Sequence, residues 1–340
     1  MDISSTTELE NLLSQPTEAA IAALQQTDGD ITLLGVAGKM GPTLARMALR
    51  ATEASGQSRR VIGVSRFSQA GFSRRLQQWG IETIAGDLLD ATFVAALPVT
   101  ENVIAMTGMK FGATGREGLT WAMNAHLPAL LCEHYRHSRV VAFSSGNVYG
   151  LVPATGPGSA ETDALQPVGE YAMSCLGRER MYQYFSETLN IPLALLRLNY
   201  ATELRYGVLV DLGRQVWKGR TIDLSMGYVN VLWQGDANAM ALAALADVAV
   251  PPRIINLAGP EKLSIRKVCT QFGQRMGKPV TFAGIEADSA LLNNGTPAHA
   301  RYGRPRVSAD QMIGWIADWI QRGGQSLDKP THFQNREGRF

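Results

Sequence analysis

The segment Ile31-Thr-Leu-Leu-Gly35-Val-Ala-Gly38-Lys39-Met40-Gly41-Pro-Thr-Leu-Ala45 passes from a short apolar run, through three glycines, into a helical pattern. Gly35 permits a tight turn out of a strand. Gly38 lets backbone N–H groups approach a diphosphate, and Gly41 lets the following helix pack closely on the strand. Pro42 suits a first helical turn, where a missing N–H costs nothing. A helix start of this kind presents unpaired N–H groups and the positive end of its dipole to phosphate oxygens. The turn containing Gly35, Gly38, Lys39, Met40 and Gly41 is therefore read as the seat of a dinucleotide's phosphates.

Working outward, short apolar runs alternate with longer helical patterns. Strands are expected at Arg60–Val64, Glu82–Ala85, Val103–Met106, Arg139–Phe143 and Leu193–Leu196. Helices are expected near Phe72–Trp79, over Trp121–Tyr135 and over Tyr171–Leu189. Such alternation signals βαβ units around a parallel sheet. From about Tyr206 the pattern becomes irregular, and Arg253–Ile255 is expected to return to the sheet. The fold class is thus α/β: a Rossmann-type, doubly wound parallel sheet with a smaller, discontinuous C-terminal substrate-binding subdomain. The boundaries read as an N-terminal helical extension at 1–27 and a dinucleotide-binding domain at 28–205, with a return segment near 231–258. Residues 206–230 and 259–340 form the substrate-binding subdomain and tail.

The 340 residues are 45% hydrophobic, enough for a large core. With 32 basic and 30 acidic residues, the charge is nearly balanced, which argues against a nucleic-acid binder. Cys132, Cys175 and Cys269 are odd in number and far apart, which argues against a disulfide framework and for a reducing compartment. The polar start of the chain has no signal-peptide character, and no apolar run approaches a membrane span. A cytoplasmic protein is expected, with a small-molecule substrate and neither a nucleic-acid nor a membrane partner.

The strand Val61-Ile-Gly-Val64 ends in Ser65-Arg66. NAD binders place an acid near this point to hold the ribose 2′-hydroxyl. Here a guanidinium stands instead, which matches a 2′-phosphate, so NADP is preferred over NAD. Lys39 is a candidate second cation. Asp87, in Gly86-Asp87-Leu88, either accepts from the adenine amino group or caps the next helix.

These residues resemble the extended short-chain dehydrogenase/reductases, the NAD-dependent epimerase/dehydratase group, over roughly residues 30 to 280. The likeness rests on Gly35, Gly38 and Gly41, on Gly86-Asp87, on Val103-Ile-Ala-Met-Thr107-Gly108 and on Asn124. It continues through Phe143-Ser-Ser145-Gly-Asn-Val-Tyr-Gly150, Tyr171-Ala-Met-Ser174, Leu196-Arg-Leu-Asn199 and Ile255-Asn-Leu-Ala-Gly-Pro260. The resemblance implies that Ser145 hydrogen-bonds the reacting oxygen while Tyr171 moves a proton on or off it. It also implies that Ser65, Arg66, Asp87, Leu88, Thr107 and Tyr171 contact the cofactor, that Asn124 holds a structural water (a plain helix-face asparagine being the competing reading), and that the chain forms a homodimer through the two long helices.

The family's Tyr-x-x-x-Lys is broken, because position 175 is cysteine. A free tyrosine titrates near about 10, and an adjacent ammonium favours the phenolate by about 1–3 units. Losing that ammonium costs on the order of 1–4 kcal/mol of phenolate stabilisation. Two cations are candidates to replace it. Lys110 follows the fourth strand, where a Rossmann sheet opens toward its ligand, and Arg178 lies two helical turns beyond Tyr171. Lys110 is favoured. Cys175 has no histidine beside it and reads as a small buried thiol, and His126, His134 and His137 lack metal-ligand spacing. Arg301, Arg304, His332 and Arg336 are candidates to line a pocket for an anionic or polyhydroxyl substrate, with surface packing or disorder the competing reading of the tail.

Two functions follow. One is an NAD(P)-dependent oxidoreductase, epimerase or dehydratase acting on a hydroxyl or carbonyl of a sugar-like or nucleotide-sugar substrate. The other is a cofactor-binding sensor or partner subunit with little catalysis, motivated by Cys175.

Overall fold

The structure is a computed structural model describing residues 3–110 and 114–338. Its centre is a parallel sheet in which β1 (Ile31–Leu34), β2 (Val61–Ser65), β3 (Glu82–Ala85), β4 (Asn102–Ala105) and β5 (Arg139–Ser145) are joined by Leu193–Leu198 and Arg253–Leu257. From one edge the order is Arg253–Leu257, Leu193–Leu198, β5, β4, β1, β2, β3. All neighbours run parallel. The Rossmann-type sheet and the return of the 253 strand are as expected. The chain reverses its direction of build between β1 and β4, and a crevice opens there at the carboxyl ends of the strands.

β1 and β4 are fully buried, as continuous apolar runs require when helices cover both faces. One face is covered by α2 (Glu18–Gln25), α3 (Gly41–Ser55) and the Gln234–Ala243 helix, with α1 (Thr6–Leu13) packed on the last two. Leu24 and Ala20 of α2 belong to this core, so that helix is part of the packed body. The other face buries Leu127, Leu131, Tyr135 and Tyr182. A second apolar core joins the helices Val208–Trp217, Ile265–Met276 and Ala309–Gln321, and Leu9 and Leu13 of α1 enter it.

The expected single helix over Trp121–Tyr135 is three pieces: Glu117–Trp121, a π-helical turn at Ala122–His126, and Leu127–His134. Pro128 has no N–H to give to the carbonyl four residues back, so the chain rewinds just before it. The tail around Lys329 is packed rather than loose, with Thr331 and Phe333 buried.

Close approach explains the glycine turn. Gly35 has φ of +84°, open to glycine at little cost. A Cβ on Gly41 would collide with the Val36 carbonyl oxygen, so the first turn of α3 lies directly on the strand-end loop. Val36 in turn fills the space a side chain at Gly63 of β2 would take, with Val36 Cγ1 2.8 Å from that Cβ position. Gly41→Ala is expected to lower stability by about 1–3 kcal/mol through overpacking and to weaken dinucleotide binding. Chemical denaturation and cofactor titration measure both, and unchanged values in each would contradict this account of the turn.

Candidate active site

Alternation along β5 sends Ser144 and Ser145 to opposite sides of the strand. Ser144 Oγ donates to Glu179 Oε1 at 2.6 Å. Glu179 also receives Arg197 through Nε and Nη2, the latter at 2.8 Å, and both residues are buried. Arg197 further donates to the Tyr149 hydroxyl, which donates to Asn256 Oδ1. This interior network fixes the end of β5 and leaves Ser145 facing the cleft. Ser145 Oγ accepts from the Asn147 backbone and side-chain amides, at 3.2 and 3.0 Å. The Glu179–Arg197 pair escaped the sequence reading. Its signal was an arginine in the otherwise apolar strand Leu193–Leu198.

The Gly169–Leu189 helix carries Tyr171, Cys175 and Arg178 on one stripe. The Tyr171 hydroxyl hydrogen-bonds with Ser145 and with Cys175, so the expected serine–tyrosine couple is assembled. Burial pushes the Tyr171 phenol well above its ordinary range; the Arg178 charge and the Ser145 bond act the other way. Burial likewise raises the Cys175 thiol, which is fully enclosed. The helix therefore places a neutral group where the family carries its ammonium.

Lys110 approaches the same tyrosine from a different element. Its Nζ lies over the Tyr171 ring, 5.7 Å from the centroid. Burial pushes its ammonium down to about 8, against the opposing pull of Cys175 and Asp211. The loop that delivers it is clamped by Asn124. The Met109 N–H donates to Asn124 Oδ1 at 3.0 Å, while Asn124 Nδ2 donates to Met109 O and to Ser174 Oγ. The π-helical turn is what presents Asn124 to this loop. These bonds occupy both ends of the Asn124 amide, so it holds the loop directly. Arg178 is committed as well, donating to Phe143 O at 2.9 Å and to Asn124 Oδ1. Of the two cations, the arginine is tied into the scaffold and Lys110 lies against the tyrosine.

These groups line a cleft of about 370 Å³ that also contains Gly35, Gly38, Lys39, Met40 and Thr107. Lys39 lies 3.1 Å above the Tyr206 ring centroid. It turns into the cleft, so it and Arg66, which is not part of the cleft wall, do not form the expected joint phosphate cradle. Arg66 is exposed at the end of β2, and its guanidinium has no hydrogen bond or ion pair among the described residues. Asp87 accepts from the Leu89 N–H in a local turn, while Asp90 caps the next helix. The Leu88 side chain is in the core, which leaves only its backbone for a ligand. Ser65 ends β2, beside the end of β3. Two other candidates do not line the cleft: Arg301 pairs with Asp247, and Arg336 donates to Ser289 O and Oγ. Arg304 is exposed and also outside the cleft wall, while His332 lines a neighbouring cavity.

α3 fits the phosphate role. α1 and α2 have side-chain N-caps, whereas the start of α3 has none, so its first N–H groups remain available beside the glycine turn.

Residues 31–201 match the family model described as the NAD dependent epimerase/dehydratase family. No curated protein sequence matches the chain. Among solved structures, it is similar to UDP-glucuronic acid 4-epimerase from Bacillus cereus in complex with NAD. That match has a TM-score of 0.70 and 18% identity, and covers 86% of this chain and 97% of the other. It is also similar to a dTDP-glucose 4,6-dehydratase from Bacillus anthracis, with a TM-score of 0.70 and 15% identity over 86% and 96% of the two chains. The dTDP-glucose 4,6-dehydratase DesIV from Streptomyces venezuelae matches with a TM-score of 0.70 and 17% identity, over 86% and 97%.

Arg197→Met leaves Glu179 as an unpaired buried charge, and removal of one partner from such a pair costs about 3–5 kcal/mol. Urea denaturation is expected to show a loss of that size, and a loss below about 1 kcal/mol would mean the pair does not hold β5 in place.

Proposed function

Because this chain belongs to the NAD-dependent epimerase/dehydratase family, we propose that it is an NAD(P)-dependent enzyme acting on a hydroxyl or carbonyl of a sugar-like or nucleotide-sugar substrate. The observation that carries this reading is the approach of Lys110 to Tyr171, beside Ser145, in a cleft continuous with the glycine turn. A site that only held a cofactor would have no need of a cation against a tyrosine whose helix has lost its own.

The bound nicotinamide supplies the hydride acceptor or donor. The remaining work belongs to the chain. The amides of the glycine turn and of the start of α3 hold the diphosphate, with Lys39 adding charge. Ser145 hydrogen-bonds the reacting oxygen and fixes its position. Tyr171 exchanges a proton with that oxygen, and the Lys110 ammonium lowers the cost of the phenolate that this requires. Asn124 and Arg178 hold Lys110 and Ser145 in register through Met109 and Phe143.

NADP is proposed as the preferred cofactor. Support comes from the unpaired, exposed Arg66 at the end of β2 and from the lack of an acid at that strand end. A cytoplasmic setting fits the three buried, unpaired thiols, and no described helix is long and apolar enough to cross a membrane. A homodimer fits the exposed Trp121, Met173 and Tyr184 on the two long helical segments.

The Lys110 charge is present below about 8 and lost as pH rises through it. The rate constant kcat/KM is therefore expected to fall above that value. Lys110→Met should run about 10–100-fold slower at neutral pH and lack that limb. Turnover is followed by nicotinamide absorbance and by product stereochemistry across sugars, sugar acids and nucleotide sugars, with Tyr171→Phe as the inactive control. A Lys110→Met profile matching the unaltered protein would remove Lys110 from the mechanism. For the cofactor, Arg66→Ala should weaken NADP about 10-fold or more while sparing NAD, as loss of a charge-assisted contact does. NAD binding to the unaltered protein as tightly as NADP would defeat the preference.

A further inference from the structure

α1 lies ahead of residues 31–201, which carry the family pattern, yet it is built into both apolar cores' surroundings. Leu9 and Leu13 enter the second core, while the helix also packs on α3. Glu10, on its inner side, is only 6% exposed. Its Oε1 accepts from Arg205 Nη1 at 3.1 Å and from Arg75 Nη2. Arg75 belongs to the Phe72–Gln78 helix, and Arg205 to a corner that enters the second core through Leu204. One carboxylate oxygen thus joins α1 to two segments 65 and 195 residues away in sequence.

The corner that Glu10 holds runs from Glu203 to Tyr206. The Glu203 N–H donates to Tyr206 O at 2.9 Å, and the Glu203 carboxylate accepts from the N–H and Nε of Arg205, at 3.0 and 3.1 Å. Arg205 reaches back to α1, while Tyr206 is part of the cleft wall and lies under the Lys39 ammonium, 3.1 Å from its ring centroid. Burial, and then the charges of Lys110 and Lys329, push Lys39 toward losing its proton, whereas Glu203 and Asp211 act the other way. The π face of Tyr206 also favours the charged form. The corner therefore supplies two of the groups that keep a buried lysine of the glycine turn charged. The far end of α1 meets the same turn: Asn238 Nδ2 donates to Leu13 O at 3.4 Å and to Thr43 Oγ1 at 3.0 Å, and Thr43 stands in the first turn of α3.

We propose that Glu10 is a positioning residue for the cofactor: it locks the Glu203–Tyr206 corner so that Tyr206 keeps the Lys39 ammonium turned into the cleft, toward the diphosphate. This rests on the reading of the glycine turn as the cofactor's seat, and adds to that seat a residue from a helix outside the fingerprint. Without the Glu10 charge, two neighbouring guanidiniums lose the carboxylate between them, and like charges repel. A buried ion pair stripped of one partner is unstable, so the corner moves and Tyr206 moves with it.

The test is calorimetric titration of the full chain with NADP. Glu10→Gln and Lys39→Met should each weaken NADP about 10-fold, and the double variant about 10-fold rather than about 100-fold, because both act through one contact. In the nucleotide-free chain, Glu10→Gln should speed amide hydrogen exchange across 203–208 and 35–41. Thr17 Oγ1 accepts from the Ala20 N–H at 3.2 Å, so Thr17→Ala removes the cap of α2. It should lower the thermal midpoint and leave NADP affinity unchanged, which separates positioning from general loosening. Glu10→Asp keeps the charge but withdraws it by one methylene. It should weaken NADP about 3-fold, and it carries the test if the glutamine variant does not fold. The proposal is overturned by unchanged NADP affinity in the Glu10 variants, by losses that multiply in the double variant, by unchanged exchange in both segments, or by an equal loss of affinity in Thr17→Ala. Failure of the broader functional reading shows instead in the unaltered chain, as absent binding of NADP and NAD alike.

Discussion

The site depends on one amide. Asn124 grips the Met109 peptide from both sides, accepting from its N–H and donating to its carbonyl, and ties it to Ser174 and Arg178 of the neighbouring helix. A lysine on the same helix as the tyrosine would be positioned by helical geometry alone. A lysine on a strand-end loop has no such guarantee, and its long side chain loses about 2 kcal/mol of rotamer freedom when fixed. The clamp removes the backbone part of that uncertainty. The same guanidinium that completes it also holds the Phe143 carbonyl, two residues before Ser145, so nucleotide loop, serine strand and tyrosine helix meet at a single buried junction.

Much of the fold was legible because its signals are local. Most strands of the sheet were apolar runs, and the glycine turn announced its geometry through residue type. Tyr171, Ser145 and Lys110 were singled out in the sequence, the first two through the family resemblance and the third by its place after a strand, and the structure brings them to one cleft. The pieces that were missed depend on contacts distant in sequence. Glu179 and Arg197 lie on separate elements and are paired only by the tertiary fold. Lys39 was expected beside Arg66, but the aromatic face of Tyr206, contributed by the second lobe, draws it into the cleft. The tail was read as surface because nothing near it in sequence predicts that Asp211 will capture Thr331.

The lost lysine is the most instructive departure. Cys175 is small, neutral and sealed beneath Tyr171, so it preserves packing while giving up charge. The cation that approaches the phenol, Lys110, is carried by a loop, and this changes its character as well as its address. A charge in a helix is fixed with respect to the phenol, whereas one carried by a loop and partly desolvated sits closer to its own neutral point, near physiological pH.

The contact between Val36 and Gly63 has a wider consequence. The seat for the diphosphate is usually thought of as a short run of consecutive residues, yet here its curvature is shaped by a vacancy in the adjacent strand, twenty-odd positions later, into which a valine side chain settles. The fingerprint is thus a two-strand property: a bulkier residue at 63 would deform the cofactor's cradle without ever touching the cofactor, and a search keyed only to the three spaced glycines would overlook the fourth that lets them work.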